Sequence, residues 1–195
     1  MILIFAMFLY SLTMSISPGP VNMVIISSGA SYGFKKTFPF VSGATIGFTL
    51  LLIVVGFGFY TAIEKHPLLL KYLNMAGSAF IIYVGYKIAS SRPELSLTKS
   101  EAPGFLQGFL LQWLNPKAWI ACASGVVLFS EPSNKVSLII FVMIYFFVCY
   151  LSLAAWALLG KNISTLLNSI GRIRAFNVCM GGILIATAFY MLLAQ

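Results

Sequence analysis

Six long apolar runs occupy most of this 195-residue chain, and they restrict it to one class of fold. A helix needs about 20 mostly apolar residues to cross a bilayer. In lipid, every backbone polar group must find its partner within the protein, so only helices and closed barrels span membranes. We therefore expect an all-α membrane protein with six transmembrane helices, at residues 2–26, 41–60, 68–89, 105–128, 136–159 and 175–193.

The composition leaves almost no room for a soluble part. Hydrophobic residues make up 60% of the chain and charged residues 8%, whereas a soluble domain carries about 25% charged residues. We expect one domain over residues 1–195. Because the basic residues stand at the ends of apolar runs, the net charge of +8 indicates contact with lipid headgroups rather than nucleic acid.

The positions of the basic residues predict the orientation. Excess Lys and Arg mark the cytoplasmic loops of membrane proteins. Three basic residues fall on one side of the predicted helices: Lys65, Lys71 and Lys135. Eight fall on the other: Lys35, Lys36, Lys87, Arg92, Lys99, Lys161, Arg172 and Arg174. The prediction is a multi-pass protein of a bacterial inner membrane with both termini outside the cytoplasm. Since neither Lys nor Arg precedes the first run, we expect it to be a retained span rather than a signal peptide.

The spans divide into two groups of three, and a proline motif interrupts the first span of each group. The motifs are Ser17-Pro18-Gly19-Pro20-Val21-Asn22 and Leu114-Asn115-Pro116-Lys117-Ala118, about half the chain apart. Because three is odd, the second group starts from the opposite side of the membrane. Two groups with one fold would then be inverted repeats, at about residues 1–90 and 104–195, with their first helices broken at the proline motifs.

Paired breaks of this kind indicate a transport site. Proline frees backbone polar groups, which are tolerated in a membrane only where protein or a water-lined cavity surrounds them. Matched interruptions in two halves of a carrier point to a binding site near the bilayer midplane. Gly19 is expected to allow an unusual backbone turn. The alternative is a pair of ordinary kinks in packed helices. The candidate substrate-binding residues are Pro18, Gly19, Pro20, Asn22, Asn115, Pro116 and Lys117.

Lys117 is the charged residue that falls deep within a predicted span, whereas Lys71 and Lys87 lie near the ends of the span 68–89. Lys117 is near the middle of the run 105–128, where a lysine costs roughly 2.5–3.5 kcal/mol on insertion scales. That cost favours a cavity or a partner, and an ammonium in a cavity suits a substrate carboxylate or the exchange of a proton. The alternative is a side chain that snorkels to an interface.

The other ionisable residues exclude several functions. The chain has no aspartate, and its four glutamates and one histidine lie in predicted loops, so we expect no metal site and no cofactor. Gly160-Lys161 is not a phosphate-binding loop, because Ala155 and Asn162 replace the required glycine and hydroxyl. We therefore expect no ATP hydrolysis and no enzyme, but transport that uses an ion gradient or runs downhill.

Small residues in the spans predict close helix contacts. Gly43-x-x-x-Gly47 opens the second span, and Gly77, Gly85, Gly181 and Gly182 lie in the third and sixth. Such residues let helix backbones approach closely. We expect this packing within one chain, with a homodimer interface as the alternative.

Four motifs, in order and spacing, carry a resemblance to a known family. They are Ser17-Pro18-Gly19-Pro20 with Asn22, Gly33-Phe34-Lys35-Lys36, Ala76-Gly77-Ser78-Ala79 through Tyr83, and Leu114-Asn115-Pro116-Lys117-Ala118. Together they resemble the LysE/RhtB family of amino-acid exporters over essentially the whole chain. Within the family, Tyr86-Lys87-Ile88-Ala89-Ser90 and Trp156-Ala157-Leu158 with Gly160 are similar to its cysteine and O-acetylserine exporters.

The resemblance implies efflux of amino acids from the bacterial cytoplasm by proton antiport. Some members carry an aspartate in the fifth span, and this chain has none. That departure argues against a carboxylate proton relay and against a dibasic substrate. A small neutral, zwitterionic amino acid with its carboxylate at Lys117 fits better.

Other functions stay open at this point. The substrate could instead be homoserine, threonine, leucine or lysine. A metal-ion efflux carrier is opposed by the lack of intramembrane carboxylates. A thiol–disulfide carrier is opposed by the lack of a cysteine in the first span, since the cysteines are Cys122, Cys149 and Cys179. A passive channel or a non-transporting subunit is the remaining alternative.

Overall fold

The computed structural model describes residues 1–59, 67–90, 102–129, 135–164 and 169–193. These residues form seven α-helices, so the predicted all-α class is confirmed for this part of the chain. The helices are α1 (Ile2–Ile16), α2 (Pro20–Val54), α3 (Pro67–Ala89), α4 (Phe105–Trp113), α5 (Pro116–Phe129), α6 (Lys135–Ser164) and α7 (Ile170–Leu193). A wider helical turn, Val55–Phe59, extends α2.

The described helices differ in length, and the shorter ones lie where a proline motif interrupts a predicted span. Among the described residues, the segments Pro20–Gly58 and Lys135–Ile163 are long and apolar enough to cross a membrane. The predicted span 2–26 is divided between α1 and α2, and the predicted span 105–128 is divided between α4 and α5. Both divisions fall at the proline motifs.

α2 reverses at a single residue. Gly33 has φ 78° and ψ 169°, a conformation that L side chains rarely adopt, while the residues on both sides are helical. α2 is therefore two helical segments, 20–32 and 34–54. The predicted loop 32–36 is helical apart from Gly33, and the predicted second span, 41–60, begins earlier than expected. Because Gly33 has no Cβ, it can adopt this backbone conformation without a steric clash.

α2 is the centre of the bundle. It packs extensively against α6 and α4, while α1 packs against α6 and α3 against α7. The core between these helices includes the fully buried side chains of Phe40, Leu51, Phe141 and Leu153. The buried apolar contacts of α2 hold two parts of the chain in place. One is the start of α2, where the first break lies, and the other is α4, which precedes the second break.

Small residues allow this packing, as the sequence predicted. A Cβ on Gly43 or Gly47 would meet the backbone of α4 at Phe105 or Phe109. Gly85 and Gly181 approach each other in the same way across α3 and α7. The prediction of packing within one chain is confirmed for these four glycines. A Cβ on Gly182, in contrast, would have no described atom within 4 Å.

The described basic residues lie toward opposite ends of the bundle. Lys35 and Lys36 follow the reversal at Gly33, and Lys161 is near the end of α6 that meets Gly29. Lys135 is at the other end of α6, 5.5 Å from the Phe57 ring centre. Three basic residues of the orientation argument lie outside the described residues: Lys65, Arg92 and Lys99. So do the loop residues used to argue against a metal site: Glu64, His66, Glu94, Glu101 and Glu131.

Candidate functional site

The first break lies between α1 and α2. Ser17 leaves the helix with φ −63° and ψ 133°, and its N–H still donates to the Thr13 carbonyl at 3.1 Å. Gly19 is extended, with φ −167° and ψ 176°. Both residues precede a proline, which disfavours the helical conformation. The predicted unusual turn at Gly19 is wrong, because any residue can adopt this extended backbone.

The second break lies between α4 and α5. Asn115 begins α5 as a cap: its Oδ1 accepts the Lys117 N–H at 3.1 Å, and its carbonyl accepts the Ala118 N–H at 2.9 Å. Pro116 is the first residue of α5, where its missing N–H would have had no helical partner. The Asn115-Pro116 pair is thus a helix start signal, and a new helix begins shortly after α4 ends.

The Lys117 ammonium joins the two breaks. Its Nζ donates to the Ser17 carbonyl oxygen and to Ser17 Oγ, both at 2.8 Å, and approaches the Pro18 carbonyl oxygen at 3.4 Å. The last carbonyls of a helix have no helical partners and carry its negative dipole end, which favours a cation there. The lysine is therefore held at the first break, in contrast to the snorkelling alternative.

Asn22 also donates hydrogen bonds to carbonyl groups at the end of α1. Its Nδ2 donates to the Ser15 carbonyl at 3.0 Å and to the Ser17 carbonyl at 3.2 Å. The Ser17 carbonyl thus accepts from both Asn22 and Lys117. The amide and the ammonium thus satisfy carbonyl oxygens that have no helical N–H donor, because the chain leaves the helix after Ser17.

Gly19 gives the lysine room. A Cβ at this position would lie 3.2 Å from both Cδ and Nζ of Lys117. That distance is tighter than ordinary van der Waals contact. The close approach of Lys117, rather than backbone conformation, is the physical reason for a glycine here.

A small cavity of about 40 Å³ lies between the breaks. Four of the predicted site residues line it, namely Gly19, Asn22, Asn115 and Lys117, whereas Pro18 and Pro20 do not. Its other described lining residues are Met14, Ser15, Val21, Phe48, Gln112, Ala118, Ala121, Tyr145, Cys149 and Leu153. The volume has room for about three waters, so it is too small for a whole amino acid in this conformation.

Ser15 and Ser17 are the site residues that sequence reasoning missed. Ser15 is 7% exposed, and its Oγ has no hydrogen-bond partner among the described atoms. A signal was available, because Ser11 and Ser15 are four residues apart and share one face of an otherwise apolar helix. Ser17 belongs to the first proline motif, but the motif does not indicate its contact with a residue 100 positions later.

A second, larger cavity of about 670 Å³ lies nearer the Gly33 reversal. It is lined by the ends of the first segment of α2 and of α3, and by α4. Gln107 and Leu111 of α4 face it, while the next residue, Gln112, lines the small cavity. Its other lining residues are Val24, Ser27, Ser28, Ser31, Tyr32, Phe40, Tyr83, Val84, Lys87, Ile88, Ser90 and Pro103.

The described residues provide no evident metal centre. Among them, no three His, Cys, Asp or Glu side chains come together in a way that could hold a metal ion. Cys122 and Cys149 are buried free thiols, and Cys179 is an exposed one.

Among the described residues, an all-helical bundle with two segments long and apolar enough to cross a membrane fits a helical membrane protein. The sequence model of the LysE type translocators matches residues 12–195, and the chain belongs to that family. The family resemblance found in the motifs is therefore confirmed, and membership indicates a translocator rather than an enzyme.

Relatives with assigned functions share just over a quarter of their residues with this chain. A cysteine/O-acetylserine efflux protein of Shigella flexneri serotype 5b is 28% identical over 174 residues, which are 88% of this chain and 89% of that protein. The cysteine/O-acetylserine efflux protein of Escherichia coli K12 is 27% identical over 173 residues, 87% of this chain and 88% of that protein. No solved structure matches the chain.

Proposed function

We propose that this protein is a secondary active exporter of small neutral amino acids or their derivatives, of the cysteine and O-acetylserine type. It would act in a bacterial inner membrane and be coupled to protons. Family membership and the names of the relatives support the class of function. The observation that carries the site is the Lys117 ammonium on the Ser17 and Pro18 carbonyls, between the two breaks.

These groups are complementary to a zwitterion. Lys117 can pair with a carboxylate, and the Ser17 and Pro18 carbonyl oxygens can accept from an α-ammonium group. In the observed conformation the Lys117 ammonium itself donates hydrogen bonds to these two carbonyl oxygens. A substrate carboxylate would draw Lys117 away, and the substrate ammonium would take its place on the same oxygens. A neutral amino acid supplies both charges at once.

The absence of aspartate from the sequence argues against a substrate with an additional positive charge. The described lining of the small cavity includes one ionisable cation, Lys117, and lacks a carboxylate. A lysine-type substrate would leave its side-chain ammonium without a counter-charge, which is costly in a membrane. We assign the coupling proton to Lys117, because it is the cationic group among the described residues that line this site.

The larger cavity is our assignment for the access path from the cytoplasm. It has ample volume for an amino acid and includes Lys87, with Lys35 and Lys36 close to its Ser31 and Tyr32 in sequence. Transport would then require α2 and α4 to separate near Leu111, which would connect the two cavities. Inverted halves that rock about the breaks would open the site to each side in turn.

Efflux from proteoliposomes tests the proposal. The wild-type protein should export cysteine or another small neutral amino acid saturably, faster when a proton gradient is imposed. Threonine, homoserine, leucine and lysine should be exported more slowly. Lys117→Ala should lose export by about tenfold or more, since a charge-assisted hydrogen bond contributes roughly 1.5–3 kcal/mol. Lys161→Ala, on an exposed lysine, is the matched control. Normal export by Lys117→Ala would remove Lys117 from the site.

A further inference from the structure

We propose that the small cavity beside Lys117 is the subsite for the substrate side chain, and that the Ser15 hydroxyl selects side chains that carry a hydroxyl or thiol. This inference rests on the proposed function. It assigns a specificity-determining role to a residue that no sequence motif marks.

The first argument is the unpaired hydroxyl of Ser15. In the same helix, Ser11 donates to the Met7 carbonyl at 2.7 Å, the usual way for a helical serine to satisfy its hydroxyl. Ser15 is only 7% exposed, and its Oγ makes no well-directed hydrogen bond to a described atom, although the Tyr145 phenol and the Cys149 thiol lie within reach of it. Buried polar groups are nearly always hydrogen-bonded. Because Ser15 faces the cavity, a group within the cavity is the natural partner.

The second argument is the chemistry around that hydroxyl. The Tyr145 phenol lies beside Ser15, and the Cys149 thiol lies beside both Ser15 and Thr45. Thr45 Oγ1 is also buried and makes no well-directed hydrogen bond to a described atom. The Phe48 ring stacks on Tyr145, with 4.3 Å between ring centres, and bounds the space on the apolar side. This end of the cavity therefore offers short, uncharged hydrogen-bonding groups.

The third argument is size and position. The cavity of about 40 Å³ accommodates roughly three non-hydrogen atoms, which leaves room for the side chain of serine or cysteine. Gly19, Asn115 and Lys117 line the same space. A substrate with its carboxylate on Lys117 and its ammonium on the Ser17 carbonyl would place its Cβ toward Ser15. Leucine and phenylalanine side chains are too large for this space, and O-acetylserine, whose side chain is also larger and lacks a hydroxyl or thiol, should be exported more slowly than cysteine.

Export of paired substrates tests the assignment. Serine and alanine differ by one hydroxyl, and cysteine and 2-aminobutyrate differ by a thiol in place of a methyl group. The wild-type protein in proteoliposomes should prefer the first of each pair. Ser15→Ala should lower that preference about fivefold, the effect expected for one hydrogen bond. Ser11→Ala is the matched control, because Ser11 is also buried in α1 but has its own partner.

A second variant protects the test against misfolding. Ser15→Cys retains a weak donor in a side chain of similar size, and should lower the serine-to-alanine ratio by less than Ser15→Ala. Equal loss of both substrates in the Ser15 variants, with an unchanged ratio, would show a structural role and overturn the inference. A wild-type protein that exports alanine as well as serine would also overturn it, while the proposed function stands. A wild-type protein that exports no amino acid would overturn both.

Discussion

The Lys117 ammonium lies 2.8 Å from the carbonyl oxygen of Ser17, a residue 100 positions earlier in the chain. Each group would be unfavourable alone within a membrane, since one is a charge and the other a carbonyl without its helical partner. Their contact satisfies both. It also connects the break between α1 and α2 to the break between α4 and α5, so the two interruptions form one site.

Replacement of Lys117 by methionine should change which compounds compete for the site. In the wild-type protein Lys117 occupies the Ser17 and Pro18 carbonyls, so an amine without a carboxylate cannot displace it. We expect ethanolamine and cysteamine to inhibit wild-type export weakly. Lys117→Met should bind these amines more tightly and amino acids more weakly, as measured by a thermal shift of the purified protein. Unchanged amine binding would contradict this use of the carbonyls, and Lys161→Met is the control.

Gly19→Ala should impair export without unfolding the protein. The extended backbone at Gly19 accepts alanine, but the new Cβ would lie 3.2 Å from Lys117 Cδ and Nζ. We expect a severalfold fall in export rate, because the ammonium must shift away from Ser17, with a normal melting temperature. Gly171→Ala, which adds a methyl group in open space, should behave as wild type. Equal effects of the two substitutions would argue against the steric explanation.

Substitutions of Asn115 separate capping from substrate contact. Asn115→Ala removes the acceptor of the Lys117 N–H, which should destabilise the protein by about 1 kcal/mol. Asn115→Asp and Asn115→Ser restore a capping oxygen and should recover most of that loss in thermal unfolding. Export that recovers together with stability would indicate a capping role alone. Recovered stability with export still low would indicate that the Asn115 amide also contacts the substrate.

Gly108→Ala should destabilise the bundle. A Cβ at Gly108 would overlap the backbone of α2 at Phe40 and Ala44, and overpacking of this kind typically costs about 1–3 kcal/mol. We expect a lower melting temperature in detergent and less protein in the membrane. Gly182→Ala, with nothing within 4 Å of its Cβ position, is the control. A Gly108→Ala protein as stable as wild type would contradict the close approach of α2 and α4.

Thiol labelling tests the access path and the orientation together. Ser31 is exposed and lines the larger cavity. In a Cys179→Ala background, which removes the exposed native thiol, Ser31→Cys should react with a membrane-impermeant thiol reagent in inside-out vesicles only. The modification should also block export. Reaction from the opposite side would reverse the predicted orientation.

Sequence reasoning located the helices well and their contacts poorly. Apolar runs and the Asn115-Pro116 start signal depend on local preferences, which the sequence carries directly. The partner of Lys117 depends on how α1 meets α5, and helices that are apolar on all sides give no periodic signal for which face is buried. Ser15 was missed for the same reason. Serine is common in such helices, and only the structure shows that this hydroxyl lacks a well-directed hydrogen bond. The reversal at Gly33 was predicted as a five-residue loop, since the sequence does not reveal that one glycine suffices.

The contact between Lys117 and Ser17 also bears on how tightly a substrate can be held. The lysine acts as a built-in competitor, so the affinity for a substrate is the difference between its binding and that of the protein's own side chain. The affinity of the site for its substrate therefore falls, but the substrate must still carry both a carboxylate and an ammonium group. For an exporter this combination is useful, because the amino acid must leave the site on the far side of the membrane, and the returning lysine would help to expel it.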